Sequence, residues 1–161
     1  MNYKRLGGLA VLFTFLSFPA SAAVVSFLVV ETGLREDASD TQYASLWEGG
    51  LMDVFFDAGH IVTNGPITRM ETKPVDLTGE VKDEFEEAVM GGAEFFILGF
   101  IEYTIRGGSS VPAGIDVRIY ARSGNLIHRQ EFPAGTGRDL SEEFRIAQNA
   151  GRIMISHIQG R

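Results

Sequence analysis

Two short stretches of this chain are apolar at nearly every consecutive position, and they constrain the fold more than any motif does. Val24-Val25-Ser26-Phe27-Leu28-Val29-Val30 and Phe95-Phe96-Ile97-Leu98-Gly99-Phe100-Ile101 are rich in β-branched and aromatic residues. They are also too short for helices of ordinary length, so both read as central strands covered on two faces. A sheet buried on both sides requires helices above and below it, and the intervening sequence supplies them. From Thr41 to Ala58 the residues Tyr43, Leu46, Trp47, Leu51, Val54, Phe55 and Ala58 recur at intervals of three and four, which predicts a helix with one core-facing stripe. Ser39 or Asp40 can cap it, and Gly59 ends it. Trp47 is expected to pack between this helix and the sheet. Gly49 and Gly50 each weaken a helix by about 1 kcal/mol relative to alanine, which implies close packing against another backbone or a local bend.

His60 to Thr63 is short and β-prone, so strand, helix and strand form a parallel β-α-β unit. Ile67 to Glu71 can add a brief extended piece. A second helix is expected over Gly79–Met90, with Val81, Phe85, Ala88 and Val89 inward and Glu80, Asp83 and Glu84 on a solvated face. The second apolar run continues to Ile105 with alternating polarity, and Gly107 to Gly114 reads as a flexible connection. Ile115 to Ala121 and Leu126 to Phe132 flank Ser123-Gly124-Asn125 as a hairpin. The last helix begins at Asp139, with Glu142 as capping-box partner, and carries a stripe of Leu140, Phe144, Ala147, Gly151, Met154 and Ile158. The fold class is therefore α/β: a single compact domain with a mixed sheet and packed helices, in the order β-α-β-α-β-β-β-α.

The domain is preceded by a segment with a different purpose. Lys4 and Arg5 form a basic head, Leu6 to Phe18 is largely apolar, and Ala20-Ser21-Ala22-Ala23 places small residues where signal peptidase needs them. Residues 1–22 read as a signal peptide and 23–161 as one domain. The apolar run of 13 residues is short of the roughly 20 that span a bilayer. Absence of cysteine and of any N-x-Ser/Thr sequon favours a bacterial periplasm over a eukaryotic secretory pathway. Removing the head leaves 12 basic against 21 acidic residues, a net charge of −9 that repels nucleic acid.

No catalytic constellation emerges. His60, His128 and His157 fall in three different elements without metal-ligand spacing, and there is no cysteine to complete a zinc set. Ser109 and Ser110 lack the setting of a hydrolase nucleophile, and the neighbouring glycines lack the lysine and helix of a phosphate loop. Glu36, Asp37 and Asp40 do not follow a calcium-loop pattern. The expectation is a non-enzymatic protein without cofactor or metal.

The stretches Leu46 to Val62 and Ala93 to Ile101, placed after an apolar first strand, resemble the corresponding helix and strands of small bacterial envelope domains. These are the penicillin-binding-protein activator lipoproteins, the curli-secretion lipoprotein and the amino-terminal domain of TolB. The resemblance follows element order over residues 24 to 158. The lipobox cysteine of the lipoproteins and the propeller of TolB are missing. What the resemblance implies is a non-enzymatic envelope module that docks on a partner protein. A small-ligand or cation-binding protein and an unrecognised enzyme stay open as alternatives. In a parallel unit the loops leaving the strands' carboxyl ends gather at one end of the sheet. Arg35, Arg69 and Arg106 lie in those segments and are the candidate partner contacts.

Overall fold

The computed structural model describes residues 22–34 and 42–159. The signal-peptide reading, the Ser39/Asp40 cap, the Glu36/Asp37/Asp40 cluster and Arg35 lie outside the described residues. The elements are β1 (Val24–Thr32), α1 (Gln42–Asp57), β2 (Ile61–Asn64), β3 (Thr68–Met70), α2 (Gly79–Met90), β4 (Phe95–Arg106), β5 (Ser109–Ala121), β6 (Leu126–Phe132) and α3 (Leu140–Ile155). This is the expected α/β order, with the brief extended piece realised as β3.

The sheet runs β2-β1-β4-β5-β6, and β3 pairs with β1 beyond the end of β2. β1 is parallel to β2, β3 and β4, whereas β4-β5 and β5-β6 are antiparallel. The two apolar runs thus lie side by side in register from Val25 opposite Phe95 to Thr32 opposite Glu102, and each is covered on both faces. On one face Val25, Phe27, Val29, Ile97, Ile101, Val117 and Ile119 pack against α1 and α3. On the other, Leu28, Val30, Phe96, Leu98, Phe100 and Tyr120 pack against Val81 and Phe85 of α2. No described helix is long and apolar enough to cross a membrane.

The helical glycines have different explanations. A methyl group on Gly50 would sit 2.6 Å from Ala147 Cβ and 3.1 Å from the Phe144 carbonyl oxygen, so Gly50 permits α1 and α3 to touch. Gly151 accommodates Val54 from the opposite helix in the same way. On Gly49 the methyl would meet only the Phe144 ring, at 3.6 Å. Trp47 is fully buried in the core shared by α1, α3 and the sheet.

The expected connection after β4 is overturned. Ser109 to Gly114 is not a flexible connection: it is the first half of β5 and pairs with Glu102 to Arg106 of β4. Gly107 and Gly108 alone make the turn, both at positive φ (58° and 84°), a conformation that glycine adopts without penalty and that suits a two-residue hairpin.

Candidate functional site

The carboxyl ends of β1, β3 and β4 meet where the sequence places them, and the side chains there form two buried charge clusters on opposite faces of the sheet. On the α1/α3 face, Glu31 is completely buried near the end of β1. Tyr103 Oη donates to Glu31 Oε1 at 2.9 Å and Arg69 Nε donates to Oε2 at 3.1 Å. Strand register explains the meeting, because Arg69 stands directly opposite Glu31 in the β1-β3 pair.

The other cluster is larger. Asp116 and Arg118 are two residues apart on β5, on one face, and both are buried. Arg118 donates to Asp116 Oδ2 through Nε (3.1 Å) and Nη2 (2.9 Å), while its Nη1 donates to the carbonyls of Pro74 (3.0 Å) and Val75 (2.8 Å). Its guanidinium also lies 4.7 Å from the centre of the Phe100 ring, a cation-π contact. One arginine therefore holds the segment before α2 down onto the sheet. Arg129 Nε donates to Asp116 Oδ1 at 2.9 Å, and Lys73 bridges Glu102 and Asp116. Burial opposes ionisation of Asp116, but hydrogen bonds from Arg118 and Arg129, with the charges of Arg118 and Lys73, outweigh it and leave its pKa below the ordinary value. For Arg118 burial is likewise outweighed, chiefly by Asp116, and its pKa is raised.

Beside this cluster opens a cleft of about 350 Å³ lined by Glu102, Gly114, Asp116, Glu131, Phe132 and Pro133. Its carboxylates are matched by Lys73, Arg118 and Arg129, so the wall is charged but largely neutralised. Beyond the cleft the β4-β5 hairpin continues. Thr32 of β1 ends opposite Glu102, whereas among the described residues Tyr103 to Arg106 pair in the sheet only with Ser109 to Pro112. Those four residues carry the hairpin about 13 Å past the end of β1 at the usual rise of a strand. Ile105 is 53% exposed there, and Arg106 is exposed beside it at the tip.

Of the three candidate arginines, the two among the described residues fare differently. Arg106 is presented to solvent, and Arg69 is used inside the fold on Glu31. The histidines also divide. His60 Nδ1 faces the Ala23 amide at 3.3 Å, whereas His128 of β6 and His157 after α3 stack with ring centres 3.5 Å apart. Sequence separation concealed that pair. Among the described residues no group of three or more metal-ligating side chains converges.

No protein-family model matches the chain, and no curated protein matches it. Among solved structures it is similar to the PelC dodecamer from Paraburkholderia phytofirmans (14% identity, 89% of this chain and 93% of that one, TM-score 0.49). It is also similar to the hypothetical protein CT253 from Chlamydia trachomatis (12% identity, 87% and 97%, TM-score 0.49). A third is TolB from Acinetobacter baumannii (12% identity, 85% of this chain but 27% of that one, TM-score 0.40). Likeness at this level carries no function to the chain.

Proposed function

We propose that the mature chain is a non-enzymatic interaction or assembly module of the bacterial periplasm, exported by its signal peptide, which docks on a partner protein through the β4-β5 hairpin and the loops beside it. The projecting hairpin is the observation that supports this reading. Its backbone is ordered by strand pairing, so little conformational entropy is lost when it is bound. It offers an apolar side chain, Ile105, and a cation, Arg106, on a strongly acidic protein. Such a tip suits an apolar notch with an acidic rim. Arg35, in the segment that follows β1 in sequence, is a further candidate contact. Arg69 contributes by holding β3 to β1. Site-specific photocrosslinking tests the reading. A crosslinker at position 105 should trap a discrete envelope protein that the same group at position 86, on exposed α2, does not; identical products from both positions argue against it.

The cleft of about 350 Å³, rather than its charge, which Lys73, Arg118 and Arg129 already balance, leaves room for a second reading, a small-ligand or cation-binding protein. Calorimetric titration of the mature chain with calcium tests its simplest form, and heat that saturates at a defined stoichiometry supports it.

A further inference from the structure

β6 (Leu126–Phe132) is the terminal strand of the sheet, and among the described residues no strand pairs with its outer side. A bare strand edge presents unsatisfied N–H and C=O groups and is a template for another strand. Its charges decide which strand fits. Arg129 and Glu131 project from the same face as Asp116, with side chains 44% and 70% exposed, and Gln130 lies between them on the other face.

We propose that a second copy of this chain pairs antiparallel with the edge of β6, about a two-fold axis through Gln130, joining two sheets into one. In a two-fold sheet, paired residues share a face, so only registers centred on a residue are allowed. Centring on Arg129 sets Arg129 against its own copy, and centring on Glu131 does the same for two carboxylates. Centring on His128 pairs neither charge with an opposite one. Only the register at Gln130 places each Arg129 opposite the partner's Glu131, twice by symmetry, and it also sets His128 against the partner's Phe132. Opposite charges and aromatic pairs across strands are favourable, and like charges directly opposite are not. Arg129 can make the new contact without leaving Asp116, because Nε serves Asp116 while Nη2 already reaches a carboxylate, Glu131 of its own chain, at 3.2 Å.

The chain contains no cysteine, so a single introduced thiol reports on self-association. Across an antiparallel pair the Cα atoms stand about 4.5–5.5 Å apart, within disulfide range. Mild oxidation of Gln130→Cys should give a covalent dimer much faster than Glu86→Cys on exposed α2. Sedimentation equilibrium of the unmodified mature chain should show a reversible dimer. Glu131→Lys, which also gives up the exposed pair with Arg129 of its own chain, should weaken that dimer by about tenfold, the equivalent of about 1.4 kcal/mol, with the far-UV dichroism unchanged and the thermal transition still cooperative. The proposal is overturned by equal crosslinking at both positions, or by a dimer indifferent to Glu131→Lys. A chain that stays monomeric alone also overturns it and leaves the edge to the strand of a different protein.

Discussion

The indole N–H of Trp47 donates to Glu143 Oε1 across 2.8 Å, tying the middle of α1 to the first turn of α3 inside the core. Glu143 is itself buried and also accepts from the Gly135 amide (Oε1, 2.7 Å) and the Gly137 amide (Oε2, 2.8 Å), so it organises the loop that enters α3. Trp47→Ala should cost about 3–5 kcal/mol from the lost packing. Glu143→Gln should cost about 1–3 kcal/mol, because its NH2 group must face a backbone N–H that the carboxylate accepted. Urea denaturation of the mature chain measures both, and an unchanged midpoint for Trp47→Ala would contradict the assigned packing.

The two helical glycines should respond in opposite directions. Gly50→Ala forces a methyl onto Ala147 and should destabilise by about 1–3 kcal/mol. Gly49→Ala meets only the edge of a movable ring and should gain up to about 1 kcal/mol from helix propensity. Thermal melts of the pair check the interhelical contact, and equal shifts would mean that the two sites are packed alike.

These contrasts mark what the sequence could and could not reveal. The strands of Val24 and Phe95, helix α2 and the cap of α3 were legible because each carries its own local signal. For α3, Asp139 Oδ1 accepts the Glu142 amide at 2.8 Å, although Glu142 reaches the Arg138 amide rather than that of Asp139. The first half of β5 was not legible, because Ser109-Ser110-Val111-Pro112-Ala113-Gly114 has no apolar alternation and is ordered by its pairing to β4. The readable signal there was Gly107-Gly108 as a hairpin turn. Burial of Asp116 and Arg118 was equally hidden. Their alternation with Ile115 and Val117 marks the face that packs under α2, and the Pro74-Val75 carbonyls that receive Arg118 there are distant in sequence.

Titration should reveal two buried carboxyl groups of opposite sign. Asp116 has a folded-state pKa below its unfolded value of about 3.9. Its stabilisation is therefore present above that value and lost as pH falls through the lower folded pKa. Asp116→Asn should remove about 3–5 kcal/mol at pH 7 by leaving buried Arg118 without its counter-charge. Glu48 behaves in reverse. Burial raises its pKa despite the Asn64 hydrogen bond, so its contribution is full below about pH 4.3 and is lost as pH rises through the folded value. Glu48→Gln should be more stable relative to the parent at pH 7 than at pH 4; a difference independent of pH would contradict the sign.

Arg69 and Arg106 should separate structure from docking. Arg69→Ser strips buried Glu31 of its cation and should lower stability by about 1–3 kcal/mol. Arg106→Ser, at the exposed hairpin tip, should move the melting temperature within the range of ordinary surface changes, about 0.5 kcal/mol. Differential scanning calorimetry of the two variants decides between these roles.

The most direct test of the docking account is quantitative capture from envelope extracts, with the mature chain and its Ile105→Ser/Arg106→Ser variant immobilised side by side. Both should show the same far-UV dichroism and nearly the same melting curve. The account predicts that a specific protein retained by the parent falls by about tenfold on the variant, a loss of about 1.4 kcal/mol of binding. Equal retention on the two surfaces would contradict it.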